Sequence, residues 1–459
     1  MSFLRGHAPH LNCRSNGGAF WRRGRAGIVA ACALVYLSAG ALAQEDAPAA
    51  EIGPTDGLAL NDAVEIALSA NPHYAAMLAQ AQALQEIPPQ AGALPDPTIG
   101  LNAMNLPVDS FSLDREPMTQ LQLTFMQAIP YPGNRQLLVD AAQHEADASF
   151  ARVEETALTL AARVRTTWWR LFQQDRALQV VEQNQALMRD FVEIAQSKYR
   201  VGDGLQQDVL LAQLELSRLL EREMRVTATR VRSEAALAQL LDLESGQRIT
   251  LPQSPENARL PDVPAEGELL QSAVAGHPAL AADNALVDAA RARLDLSERY
   301  TRPNFSVGAG YGYRQGEDPL RGGDRSDFVS LMFNVSVPLY AESKQRRAIV
   351  QRNHEVSQRR LMLRHTLGAI QSAIAAHRAD YEAAREEVSL LETAIIPQAQ
   401  QTVTSMLAAY QVNEVDFLNV LNSQITLYNS QINYWEALGT AKAALAELAA
   451  ATGMEVLYE

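Results

Sequence analysis

The sequence predicts a mainly α protein with a membrane β part, in which long α-helical hairpins carry four short strands that several chains share to close one barrel. Three observations predict it. Residues 134 to 201 contain neither Gly nor Pro, and 205 to 245 are equally free of both, so good helix formers run far past the length of a globular helix. Four segments alternate apolar and polar residues with the two-residue period of a strand. The chain also repeats its plan at a near-constant offset, the mark of a duplicated unit.

The first element is an export signal. Arg5, Arg14, Arg22, Arg23 and Arg25 precede an apolar run from Ala26 to Ala39, and Ala41-Leu42-Ala43 supplies small residues at cleavage spacing. Residues 1 to 43 therefore read as a secretory signal peptide cut before Gln44. Val29-Ala30-Ala31-Cys32 loosely resembles a lipoprotein cleavage box, but a cut there leaves an apolar overhang. The signal holds five arginines and no acidic residue, so its loss takes the net charge from −14 to −19, which speaks against a nucleic-acid partner. Both cysteines, Cys13 and Cys32, lie within it, leaving no disulfide and no thiolate ligand in the exported chain. Beyond it no uninterrupted apolar stretch reaches the ~20 residues of a spanning helix. If the chain enters a membrane, strands cross it.

The first repeat spans residues 44 to 245 and the second 265 to 459. Each opens on helical spacing, 60 to 85 broken at Asn71-Pro72 and 266 to 290 broken at His277-Pro278, an offset of 206. Each continues with a β-hairpin, 97 to 128 or 303 to 338, and a long helical hairpin, 134 to 245 or 341 to 452. Gly368 and Pro397 are expected to interrupt the second helical hairpin. YRVGDGLQQDVLLAQ (199 to 213) aligns without gaps to YQVNEVDFLNVLNSQ (410 to 424), pairing Tyr199 with Tyr410 and Gln213 with Gln424 at an offset of 211. The hairpins turn at Gly202-Asp203-Gly204 and near Asn413. Between the repeats, residues 246 to 264 collect Gly246, Pro252, Pro255, Pro261 and Pro264 and form a linker. A plain coiled-coil stalk would carry the same helices, so these alone do not decide function.

The strands do. Ile99 and Leu101 alternate with Thr98, Gly100 and Asn102; Leu121, Leu123 and Phe125 alternate with Gln120, Gln122 and Thr124. In the second copy Phe305 and Val307 lead NFSVGAGYGY, and Val329, Leu331 and Phe333 alternate with polar residues, Phe328 and Met332 excepted. In all four the odd-numbered face is apolar. A bilayer strand needs about 9 to 11 residues with apolar side chains outward, and these segments approach that length. Gly308, Gly310 and Gly312 would leave the other face open as a lumen. Four strands fall short of the roughly eight that begin the range of membrane barrels, so several chains contribute to one. The alternative is a small amphipathic sheet that packs its odd face on protein.

Over nearly all of residues 58 to 453 the chain resembles the TolC family of outer-membrane efflux channels. The resemblance is carried by Asn71-Pro72 and His277-Pro278, by Ile129-Pro130 and Val337-Pro338 where strands pass into long helices, by the two Tyr-x-Val tips, and above all by YQVNEVDFLNVLNSQITLYN (410 to 429). It implies a homotrimer in the outer membrane of a Gram-negative bacterium, with a shared twelve-stranded barrel and a long α-helical barrel in the periplasm. It also implies docking to a periplasmic adaptor and, through it, to an inner-membrane pump, expected to be of the RND type. AGALPDPTIG (91 to 100) and Gln127-Ala128-Ile129-Pro130-Tyr131-Pro132-Gly133-Asn134 are similar to the branch serving cobalt-zinc-cadmium or copper-silver resistance pumps.

Val201, Gly202 and Asp203 match the family's adaptor-docking Val-Gly tip, and Val412, Asn413 and Glu414 form the second tip with Asn in place of Gly. Family channels with paired gate aspartates carry them at the positions of Asn419 and Asn422. Asn bears no charge, so Asp208 and Asp416 are the candidates for a displaced acidic constriction. The histidines beyond the signal (His73, His144, His277, His354, His365, His377) include no pair at four-residue spacing, and no catalytic constellation stands out. Neither a metal site, nor a cofactor, nor an enzyme is expected. Other readings are an outer-membrane duct for type I protein secretion or multidrug efflux and, in a different class, a secreted helical scaffold or adhesin.

Overall fold

The computed structural model describes residues 57 to 458 apart from 245, 256, 257, 319 to 321 and 413. The signal and lipoprotein readings, and the turn residue Asn413, lie outside the described residues. In chain order α1 (Leu60–Ala70), α2 (Pro72–Gln85) and α3 (Ile87–Gly92) precede β1 (Thr98–Met104) and β2 (Gln120–Ile129), followed by α4 (Asn134–Arg200) and α5 (Gln206–Leu240). The order then returns with α6 (Glu266–Gly276), α7 (Pro278–Arg299), β3 (Asn304–Tyr313), β4 (Phe328–Ser336), α8 (Gln345–Leu390), α9 (Ile396–Gln411) and α10 (Phe417–Thr452). At 67 residues α4 is a rod of about 100 Å.

Each Pro break is a helix cap. Asn71 Oδ1 accepts the backbone N–H of His73 and Tyr74 at 3.0 and 3.1 Å, which starts α2, and its Nδ2 donates to the Leu240 carbonyl at 3.0 Å, at the far end of α5. His277 does the same work for α7. Its Nδ1 accepts the Ala279 N–H at 3.1 Å, so the ring proton sits on Nε2, which donates to the Ala450 carbonyl of α10 at 3.2 Å. Burial holds this imidazole below its usual value of 6.5.

Gly368 does not interrupt the second long helix, contrary to expectation. It lies inside α8, exposed and with open space where a Cβ would stand, because one Gly leaves the i to i−4 bonds of its neighbours intact. Pro397 does perturb the helix: Leu391–Ile395 form a π turn between α8 and α9. Pro lacks an N–H and its ring crowds the carbonyl four residues back, and the wider turn accommodates both. Where α5 and α10 end, the chain turns through left-handed residues, Gly453 (φ +69°) in the second copy but Asp242 (φ +54°) in the first.

The core forms where α4 meets α5, α7 and α10, with α8 against α7 and α10. Trp168, Trp169 and Phe172 of α4 are fully buried, Trp168 stacking on Phe172 at 5.3 Å. Trp168 Nε1 donates to the Leu58 carbonyl at 2.9 Å and Trp169 Nε1 to the Tyr458 hydroxyl at 2.5 Å, so both ends of the described chain are fastened to one helix. Lys442, also buried, donates to the Arg259 carbonyl at 2.7 Å and holds the linker on α10; burial depresses its pKa to about 8.

Candidate functional site: an apolar sheet and two helical tips

The four strands form one antiparallel sheet in chain order, and within the chain the outer edges of β1 and β4 are unpaired. Leu101 pairs with Leu123, Leu123 with Tyr311 and Tyr311 with Val329, so the odd residues of all four strands share one face. Among the described residues no part of the chain covers it. Ile99, Leu101, Val329 and Leu331 are between 74 % and 86 % exposed. Leu123, Phe125, Val307 and Phe333 are exposed too, while Leu121 and Phe305 are half-buried, Phe305 stacking on Phe333 at 6.0 Å. Among the described residues no helix is long and apolar enough to cross a membrane.

On the opposite face the β3 glycines do not leave open space. A Cβ on Gly312 would overlap Gln120 Oε1, and one on Gly310 would stand 2.9 Å from Gln122 Nε2. Gly here lets the long polar side chains of β2 lie across β3. At the far end of the sheet, loops 105 to 119 and 314 to 327 are stapled together. Arg325 donates to the carbonyls of Asp114, Gln315, Glu116 and Glu317 at 3.0 to 3.2 Å, and Arg314 to those of Pro117 and Ser326 at 3.1 and 2.7 Å. Nothing in the local pattern around these arginines announces this, because their acceptors are backbone atoms of another loop.

At the other end of the molecule lie the tips. Val201 and Val412 are 72 % and 66 % exposed, and Gly202 takes φ +84° in open space, closed by Asp203 N–H to the Lys198 carbonyl at 2.9 Å. Asp203 and Glu414 are exposed as well. Asp416 is the exposed N-cap of α10, and Asn419 and Asn422 follow it at helical spacing, also exposed. Asp208 is not on that face. It is buried in the first turn of α5, where its charge helps to raise the Tyr410 pKa after burial itself.

The aligned tips differ in surroundings. Tyr199 is 49 % exposed whereas Tyr410 is buried against Phe417, with Lys198 Nζ 4.0 Å over its ring and donating to its carbonyl at 3.1 Å. Three further bonds tie α10 to the first hairpin: Gln424 to Asn184 at 2.7 Å, Tyr428 to Glu215 at 2.9 Å and Arg222 to Asn429 at 2.9 Å. Burial and the Glu215 carboxylate push the Tyr428 hydroxyl up to about 12. Among the described residues no group of three His, Cys, Asp or Glu could hold a metal ion.

A family model described as outer membrane efflux protein matches residues 63–242 and 269–454. Protein CyaE of Bordetella pertussis is 26 % identical over 256 residues, 55 % of this chain and 53 % of its own. The outer membrane efflux protein BepC of Brucella suis is 26 % identical over 274 residues, 59 % of this chain and 58 % of its own. The matched region thus spans little more than half the length of these relatives. The outer membrane protein VceC from Vibrio cholerae has the same fold, with a TM-score of 0.71 at 19 % identity over 86 % of this chain and 96 % of that one.

Proposed function

Because the chain belongs to the outer membrane efflux protein family, we propose that it is the passive exit duct of a tripartite efflux system, built from three copies. Membership places it in the outer membrane and makes it a channel rather than an enzyme. The observation that carries the reading is the four-stranded sheet with two open edges and one continuous, exposed apolar face. Each unpaired backbone group on an edge in lipid costs several kcal/mol, and three copies of four strands close a twelve-stranded barrel without an edge.

The helices support the same assembly. On α5 the side chains of Leu210, Leu214, Met224 and Val231 are 49 % to 66 % exposed and stand ready for a neighbouring subunit. Their burial there would extend the helical hairpins into a closed wall through the periplasm. Val201, Gly202, Asp203, Val412 and Glu414 at the tips dock a periplasmic adaptor, which links the duct to an inner-membrane pump of the RND type. The cargo is heavy-metal cations, a reading that rests on the stretches 91 to 100 and 127 to 134. Asp416, with Asn419 and Asn422 on the same exposed face, lines the narrow end.

The test is conductance of the purified protein in planar bilayers with divalent cation added from the tip side. The parent channel is expected to be blocked, and Asp416→Ala to weaken the block several-fold. A protein that forms no channel contradicts the duct, and an unchanged block in Asp416→Ala removes that residue from the constriction.

A further inference from the structure

Stretches 91 to 100 and 127 to 134, which run into β1 and out of β2, meet at the foot of the sheet. Gly92 and Leu94 from the first and Ile129 to Gly133 from the second line a cavity of about 440 Å³, closed below by Arg135 and Val139 of α4. Its apolar wall continues the exposed face of the sheet. Ile129 pairs with Phe305 on the odd side, and Leu94 and Ile129 are 48 % and 39 % exposed.

Three guanidinium groups gather round the same turn. Arg135 Nε donates to the Gly92 carbonyl at 2.7 Å, Arg299 Nη1 to the Pro132 carbonyl at 3.1 Å, and Arg302 Nη1 to the Tyr131 hydroxyl at 2.7 Å. All three are exposed, and among the described residues none has a carboxylate within ion-pair distance. Gly133, at φ +86°, is the point where Arg299 crosses the turn, since a Cβ there would overlap its guanidinium. The first turn of α4 carries no acidic residue and no side-chain cap, so the positive end of a 67-residue helix adds to the field.

From this juxtaposition, and resting on the membrane reading above, we infer that the collar binds an anionic phospholipid of the leaflet facing the periplasm. Its phosphate sits among Arg135, Arg299 and Arg302, and its acyl chains run up past Leu94 and Ile129 onto the apolar face. Two features favour a lipid. The arginines stand where the apolar strands give way to water, the depth of phosphate headgroups, and their forked donors match phosphate oxygens. They also lie beneath the central strands β2 and β3, whereas barrel closure joins the outer edges of β1 and β4, so the seam between copies does not consume them.

The test is native mass spectrometry of the detergent-solubilised protein titrated with phosphatidylglycerol or phosphatidylcholine, repeated with excess inorganic phosphate. Retention of phosphatidylglycerol over phosphatidylcholine is expected, undiminished by millimolar phosphate. A triple variant with Arg135→Gln, Arg299→Gln and Arg302→Gln should bind at least about tenfold more weakly, while the matching triple Lys variant keeps most of the binding. Both variants should keep the oligomeric state that the parent shows in the same spectra, which separates loss of the lipid site from loss of the barrel. If the Gln variant disturbs the oligomer, Arg135→Gln alone decides, with a smaller loss expected. Equal retention of the two lipids, binding unaltered in the Gln variants, or displacement by inorganic phosphate overturns the inference.

Discussion

Asn71 and His277 fill matching places in the two copies, each starting a helix with one side-chain atom and gripping the end of a long helix with another. Only the histidine titrates. Its folded pKa lies below 6.5, so the unfolded chain takes up the proton first. The stabilising contribution is therefore complete above pH 6.5 and is lost as pH falls through the folded value. His277→Asn, which supplies the same acceptor and donor without a charge, should remove that loss. The midpoints of thermal unfolding of parent and variant should diverge between pH 7.5 and 5.5, with the parent falling further. Parallel curves would mean that His277 keeps its cap when protonated. Both breaks are legible in the sequence as X-Pro dipeptides, because the cap is local. The second bond of each side chain joins residues more than 160 positions apart and leaves no trace in spacing. Asp208 escaped for a related reason, since an acidic residue near a tip carries no mark of which face it takes.

The long helices were the most legible elements, because Gly- and Pro-free runs need only local propensity to declare themselves. Their interruptions were less so. Gly368 costs the helix backbone entropy without breaking it, and its site is open, so Gly368→Ala should raise stability by about 0.5–1 kcal/mol. At the end of α5, Asp242 holds a left-handed conformation that the second copy gives to Gly453, and Asp242→Gly should gain about 1 kcal/mol. Both are checked by the midpoint of denaturant unfolding in detergent, and a destabilised Gly368→Ala would mean that a partner packs on that spot. The aligned tips behave likewise: a gap-free alignment placed Tyr199 opposite Tyr410, yet only Tyr410 is buried, because it packs on Phe417 beneath the Lys198 side chain. Equal sequence spacing does not give equal neighbours.

At the scale of the whole molecule, the alternation of four short segments foretold a sheet with one apolar side, and the register carries that side without a break from β1 to β4. The role of the β3 glycines was not legible, since the glutamines that fill their space come from another strand. In the proposed barrel β1 of one copy pairs with β4 of the next. Beyond residue 43 the chain has no cysteine, so introduced pairs report without background. Leu101→Cys in β1 combined in turn with Val329→Cys, Leu331→Cys or Phe333→Cys in β4 scans the seam. Within one chain these positions are three strands, about 14 Å, apart, well beyond the roughly 7 Å limit of a disulfide. Oxidation in native membranes should give, for at least one pair, a reducible ladder that ends at three chains. A folded protein in which no pair links one chain to another, or a ladder that ends at any other number, would contradict the shared barrel.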